Sequence, residues 1–499
     1  MSNVSNLDRE VPYWRMSALV AAVLFVGVSR AGAQGWVNVS LGSGGPTGRH
    51  SAAMTYADLV GGPPPQDVAV LFGGFGVRES QPPGPLNDTW HWHGALRTWE
   101  QIVPPISPGP RFGHALAFDA ARQKVVLFGG SDENGISSET WEYDPAVGNW
   151  ALVSVVGPSP RRYHAMTYDE SIQRVVLFGG EDDGDTPRND VWVFEGESAN
   201  WVEASPSGDV PDGRSEHGFT FDPSIGKSVL YGGLNIGGQP LSDTRLLQVM
   251  PVGPGGYAAL WSQCADAGGG PGPRFGHALT YDACLGATIL FSGVPDSAVA
   301  YVTGDTWQMV VQNGQCVWSE APTVYPAAPT HRRNYGLTYD RRSAEVVLFG
   351  GQDIRGVSTP FNADTWVLLC LPRFAEQPQS QVVRPGAEAT FTVTVTDFPK
   401  FQLEYDYRWR KNGVPIVNQP PRITGADTDQ LRIEGCTSAD DGAYDVVVRP
   451  AHPLYLPVVD RLSDPASLSV VPDPGDLNAD GVVNGEDIQP FMAALLGPQ

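Results

Sequence analysis

Trp36-Val37-Asn38-Val39 decides the architecture, because it supplies a piece that the end of the repeat region lacks. Six repeats follow one pattern with single departures: Arg, an aromatic-Asp turn, an apolar run ending in Gly-Gly, acid-x-Trp (Asp243-Thr244-Arg245 in the fourth), and then a second Trp. The Gly-Gly sites are Gly73-Gly74, Gly129-Gly130, Gly179-Gly180, Gly232-Gly233, the variant Ser292-Gly293, and Gly350-Gly351. The second Trp stands at Trp99, Trp150, Trp201, Trp261 and Trp318, and the sixth repeat has none. Trp36 precedes the first repeat and fills that place. Six sets of inner strands plus one displaced outer strand predict a closed six-bladed β-propeller, in which closure removes the free sheet edges.

A period of roughly fifty residues suits a four-stranded blade. Leu127-Phe128-Gly129-Gly130, Asn149-Trp150 and Asn189-Asp190-Val191-Trp192 recur in order and in phase, and this pattern resembles the kelch repeat. The resemblance runs from Gln34 to Leu371, placing the propeller in residues 34–372. Galactose oxidase and sialic-acid mutarotases share this kelch propeller, as do binding proteins without chemistry, so the fold leaves function open.

With 58 Gly and 44 Pro among periodic apolar runs, the 499-residue chain reads as turn-rich and all-β. A net charge of -23 without a basic footprint argues against a nucleic-acid partner. Residues 1–33 read as a secretory signal peptide: Arg15, an apolar stretch from Met16 to Val28, and a small-residue cleavage site at Ala31-Gly32-Ala33. The expected location is secreted, extracellular or cell-surface, with no membrane span once the signal is removed. Five cysteines fit an oxidising compartment without forming a disulfide scaffold. Turn order within a blade points to Cys284 with Cys316, with Cys370 as competitor; it puts Cys264 on the opposite rim and Cys436 in the next domain's core.

Residues 373–472 change character. The alternating strand Ala389–Val395, Trp409 in Tyr407-Arg408-Trp409-Arg410, and Asp440-x-Gly442-x-Tyr444 resemble an immunoglobulin-like sandwich, with its buried Trp and tyrosine corner. The usual disulfide is absent: Val446 takes one cysteine position, and Val393 or Phe391 the other. Residues 473–499 change again. Asp476-Leu477-Asn478-Ala479-Asp480-Gly481-Val482-Val483-Asn484-Gly485-Glu486-Asp487 has EF-hand loop spacing. Calcium is the expected cofactor, held by the side chains of Asp476, Asn478, Asp480 and Asp487, the carbonyl of Val482, and Asn484 through water. A short helix from Glu486 to Leu496 follows. The loop resembles half of a dockerin, which implies a docking partner for the tail.

Candidate chemistry sits on the innermost strands. Arg49, Arg111, Arg161, Arg214, Arg274 and Arg332 form one column, and His114, His164, His217 and His277 another, with Ala52 and Tyr335 filling its remaining places. Asp88, Glu139, Asp190, Asp243, Asp305 and Asp364 recur in matching phase. A column filled in every blade is symmetric, whereas catalysis needs one constellation in one place, so these residues read as structural staples. His91-Trp92-His93 has a chelating spacing at positions expected to be exposed. Copper is not expected, since no Cys stands on an inner strand beside the required Tyr and His. No nucleophile elbow, phosphate loop or catalytic carboxylate pair stands out. Loops Phe75 to Asn87 and Ala265 to Pro273 are long and variable, which is where binding specificity resides. The chain therefore reads as a non-catalytic binding or adhesion protein presenting propeller loops to a glycan or protein ligand. The alternative is a carbohydrate-active enzyme of the galactose oxidase-like or mutarotase kind.

Overall fold

The computed structural model describes residues 35–471, apart from 41–43, 60–66, 80, 154–156, 266–268, 296–303, 322–327, 354–360, 370–372, 397–404 and 451–460. The proposed signal peptide and the proposed calcium loop, Asp476 to Asp487, lie outside the described residues. Among the described residues the only helical element is the 3₁₀ turn Ser438–Asp440.

Six sheets follow one another as blades. Their innermost strands are Ala53–Ala57, Ala115–Asp119, Ala165–Asp169, Gly218–Asp222, Ala278–Asp282 and Gly336–Asp340. The sixth blade closes the ring. Its outermost strand is Gly35–Asn38, antiparallel to Thr365–Leu369 with Trp36 opposite Leu368. The seam is bonded further by Arg97 of blade one, which pairs with the buried Glu345 of blade six.

The second strand of every blade is buried throughout its Val/Leu/Phe run, as in Val125 to Phe128 and Val175 to Phe178. These apolar stretches pack blade against blade. Each outer Trp also reaches the preceding blade. Trp150, Trp201, Trp318, Trp36 and Trp99 donate Nε1–H to Thr89, Thr140, Thr244, Thr306 and Thr365 at 2.8–3.0 Å. Val191 occupies the sixth Thr position, and Trp261 Nε1 is left buried without a partner.

The Gly-Gly pair is dictated by close approach. Gly129 has φ +67°, and a Cβ there would lie 2.5 Å from the Arg161 carbonyl oxygen and 3.0 Å from the His164 ring of the next blade. Only glycine tolerates both demands without strain. Ser292 takes the first Gly position at φ 55°, and its hydroxyl is tied to the Arg332 carbonyl at 2.8 Å.

The second module is a sandwich of three sheets, with six, three and two strands. Trp409 is fully buried and donates to the Thr428 carbonyl at 2.9 Å. Tyr444 donates to the Asp440 carbonyl at 2.7 Å, forming the tyrosine corner. Phe391 stacks on Tyr444 with centroids 4.7 Å apart, and Val446 is buried beside them, so apolar packing fills the place of the disulfide. Cys436 is a buried free thiol of this core.

Three expectations are corrected. Cys316 bonds Cys264, not Cys284, with Cα atoms 5.6 Å apart, and Cys284 is in a different disulfide. Turn order within one blade misses the twist of the sheet, which lays the start of blade five's outer strand against the end of blade four's. The Cys316 amide accordingly donates to the Ala265 carbonyl at 3.1 Å. His91 is buried, not exposed: its Nε2 meets the Tyr143 hydroxyl of blade two at 2.8 Å, because this face of the strand packs against a neighbouring blade. Phe75 to Asn87 is no irregular loop. It extends the two middle strands of blade one, Val68–Arg78 and Gln81–His93, as a bulged hairpin.

Candidate functional site at the upper channel mouth

The repeated charged residues are spent on structure. Every column Arg is 5% exposed or less and reaches the acid of its own blade: Arg49–Asp88, Arg111–Glu139, Arg161–Asp190, Arg214–Asp243, Arg274–Asp305 and Arg332–Asp364, at 2.5–2.9 Å. Each also donates Nη1–H to the carbonyl of its blade's first Gly or Ser292. In five blades the acid also accepts a bond from the first Trp, as from Trp192 to Asp190 at 2.7 Å; in blade four Arg245 takes that role. These bonds hold the carboxyls of Asp88, Glu139, Asp190, Asp243 and Asp364 below their ordinary range against the opposing cost of burial.

The histidine column is likewise structural. His114, His164 and His217 pack edge-on against Phe72, Phe128 and Phe178 of the preceding blade, and His277 against Tyr231. Burial lowers the pKa of His114, His217 and His277 to about 3, helped by the neighbouring column Arg, and lowers His164 well below its ordinary value. Neutral imidazoles wedge the inner strands apart at a fixed spacing.

Two residues beyond each column Arg lies a feature the repeat pattern did not announce. Ser51, Gly113, Tyr163, Glu216, Gly276 and Asn334 all have left-handed backbones, with φ between 52° and 67°. Each donates its amide hydrogen to the carbonyl of the preceding blade's member, over 2.6–3.0 Å, and Ser51 donates to Asn334. Six hydrogen bonds thus close a belt around the channel. Holding Ser, Tyr, Glu and Asn at positive φ costs of order 1 kcal/mol or more each, which the belt offsets.

Above this belt the six-fold symmetry breaks. On one side lie partly exposed rings: His50 stacks on Phe361 at 5.5 Å and meets Phe75 at 5.5 Å, and Phe75 meets Phe112 edge-on at 5.6 Å. Charged groups stand beside and across from these rings. Arg162 covers the Tyr163 ring at 5.3 Å and pairs with Glu181 at 3.0 Å and Asp185 at 2.9 Å. Ser215 donates to Glu181 at 2.8 Å. Arg333 lies over Phe275 at 5.9 Å, and its guanidinium donates only to the neutral Gln352, at 3.0 and 3.1 Å. Among the described residues no carboxylate ion-pairs with Arg333. Glu216 lies between these groups; burial raises its carboxyl, opposed by Arg333, and its Oε2 is buried without a hydrogen-bond partner. A cup of apolar rings with a guanidinium that no described carboxylate ion-pairs, and whose acidic neighbour Glu216 has its carboxyl raised by burial, can seat a ligand that offers both an apolar group and an acceptor.

His91 and His93 do not come together as a ligand pair: His93 binds Glu100 at 2.8 Å while His91 faces Tyr143. Burial lowers His91 to about 4.

Comparison with known proteins agrees with this architecture. Residues 65–293 match the KLHDC2/KLHL20/DRC7 Kelch-repeats domain, and residues 372–452 match the immunoglobulin I-set domain. The chain thus carries Kelch repeats and an immunoglobulin I-set module. It is similar to the Rab9 effector protein with kelch motifs of Bos taurus, 30% identical over 179 residues, 35% of this chain and 46% of that protein. The Xenopus laevis protein of the same name is 28% identical over 205 residues, 40% of this chain and 53% of that protein. The chain spans about half the length of these curated relatives. Among solved structures, a chimeric titin Z1Z2 is 28% identical, covering 20% of this chain and 95% of that one, with a TM-score of 0.16.

Proposed function

We propose that this chain is a binding protein that captures a segment of a partner protein in the upper channel mouth. The observation that carries this reading is the contrast in symmetry: the repeated Arg, acid and His residues are committed within and between blades, while non-repeated residues gather at one mouth. Phe75, Phe112 and Phe361 offer apolar contact, and Arg333 offers a guanidinium held in no ion pair among the described residues. Anchors of this kind dominate protein interfaces. The similarity to the two kelch-motif effectors supports a protein ligand over a glycan.

The reading extends to the parts outside the described residues. The chain is exported through residues 1–33, and the loop at Asp476, Asn478, Asp480, Val482, Asn484 and Asp487 binds one calcium ion with a Kd on the order of 10⁻⁴ M, as extracellular modules do. The tail then offers an ordered helix to a docking partner. Calcium calorimetry on the full chain and on Asp480→Ala checks this part; equal heats in both would remove it.

A second reading rests on Tyr163 and Glu216, a non-repeated pair at the mouth of the kind a carbohydrate-active enzyme needs. The burial of Glu216 Oε2 disfavours it, since an acid or base must reach its substrate. Panning a random peptide display library on the full chain, beside a glycan array and a sugar-turnover assay, separates these readings. Peptides enriched on the protein and lost on Arg333→Ala and Phe75→Ala support the first. Turnover abolished by Glu216→Gln supports the second.

A further inference from the structure

The lower end of the channel is a separate object. A cavity of about 710 Å³ opens there, walled by all six inner strands and the turns that follow them. None of the six belt residues borders it. Thr55, Thr167, Thr220, Thr280 and Thr338 stand at one equivalent level of five blades, with Ala117 in the sixth. Each inner strand is paired on one side only, so its axial edge has no ladder partner among the described residues. The Phe221 amide shows how such an edge is satisfied, donating to Thr167 Oγ1 at 2.9 Å. Below the threonines come rings at Tyr56, Phe118, Tyr168, Phe221, Tyr281 and Tyr339. The interior therefore offers neutral donors and acceptors around an aromatic entrance, and its charged side chains lie only at the rim.

At that rim Glu170, in the turn after blade three's inner strand, pairs with Arg341, in the turn after blade six's. Blades three and six are opposite each other in a six-bladed ring. The pair therefore spans the entrance from wall to wall, and both residues line it.

We propose that this lower cup is a second ligand site, for a neutral polyhydroxylated small molecule of hexose size, with Glu170–Arg341 as a latch across its entrance. The volume lies within the range of small-molecule sites, roughly 300–1,000 Å³. A charged ligand would lose hydration without finding a counter-charge inside. A purely apolar one would strand the threonine hydroxyls and the strand-edge amides and carbonyls. A polyol replaces the hydrogen bonds of displaced water and lays C–H groups on the half-buried rings of Tyr168 and Tyr281. The latch is exposed to solvent, with Arg341 57% and Glu170 39% exposed, so it is weak enough to open.

The test uses the full chain with D-glucose, D-galactose and myo-inositol as probes, and gluconate as the charged control, read by saturation-transfer NMR and titration. At least one neutral probe is expected to bind in the millimolar range and gluconate not to bind. Thr280→Val with Thr338→Val should weaken that binding at least about tenfold, since two hydroxyl partners are lost; Thr220→Val alone serves if the double variant melts early. Arg341→Ala should speed both binding and release, and Arg333→Ala at the far mouth should change neither. Absence of binding by all three neutral probes, or binding untouched by the threonine variants, overturns the site. Unchanged exchange rates in Arg341→Ala overturn the latch.

Discussion

The two ends of one channel are built from the same six strands and differ in what the repeat controls. The lower cup repeats: threonine at one level and an aromatic below it, in nearly every blade. The upper mouth does not: His50, Phe112, Arg162, Ser215, Phe275 and Arg333 occupy one equivalent position in six blades. A repeated position is constrained by packing against both neighbouring blades. A position above the backbone belt is freed from that constraint, because the belt's own hydrogen bonds hold the strands in place. The scaffold is fixed by the first kind of residue, and recognition is left to the second.

The contrast is first broken by breaking the ring. Trp36 is 2% exposed, packs on Phe291 at 5.1 Å and bonds Thr306, both in blade five. Trp36→Ala should cost about 3–5 kcal/mol, measured by denaturant unfolding. A loss below about 1 kcal/mol would show that the displaced strand does not hold the ring closed. Arg161→Ala comes next. It leaves Asp190 without its guanidinium and the Gly179 carbonyl without a donor, and should cost roughly 3 kcal/mol.

Acid should then loosen the repeated scaffold before it touches the mouth. His114, His217 and His277 have folded pKa values of about 3, far below the unfolded value of about 6.5. The unfolded chain binds those protons first, so stability is complete above pH ~6.5 and falls as pH drops toward 3. At pH 5.5 the loss should be roughly 1 kcal/mol per histidine. The staple carboxylates, lowered in the fold, add their own loss below pH ~4. Glu345 acts in the opposite direction: burial raises it to about 7 despite Arg97, so its contribution is present below its unfolded value and lost as pH rises through 7. A melting temperature that rises between pH 7 and 5 would contradict the histidine account. The smallest effect expected is a gain. Val191→Thr offers Trp261 Nε1 the hydroxyl that every other outer Trp already has, and should add about 1 kcal/mol.

Much of this was readable in one dimension. The Gly-Gly sites, the two Trp series and the Arg and acid columns announce the blades and the staples, because each rests on spacing along a strand. Trp36 announces ring closure by its absence from the sixth repeat. Trp409 and Tyr444 announce the sandwich. What escaped depends on how blades meet. The Cys264–Cys316 bridge follows sheet twist, the burial of His91 follows blade-on-blade packing, and the Glu170–Arg341 pair joins blades that are opposite only after closure. The backbone belt left one trace, a column two residues beyond each Arg. Gly113 and Gly276 hint at a left-handed backbone there, while Ser51, Tyr163, Glu216 and Asn334 hide it.

The division of labour is tested most directly by crossing two arginine variants, Arg161→Ala in the repeated staple and Arg333→Ala at the mouth. For each, thermal unfolding of the full chain and the affinity of a panned peptide are measured side by side. Arg161→Ala should lower the melting temperature and leave the affinity of the folded protein unchanged. Arg333→Ala should leave the melting temperature unchanged and weaken peptide binding about tenfold or more. The reverse pattern, with Arg161 governing affinity and Arg333 governing stability, would contradict the account.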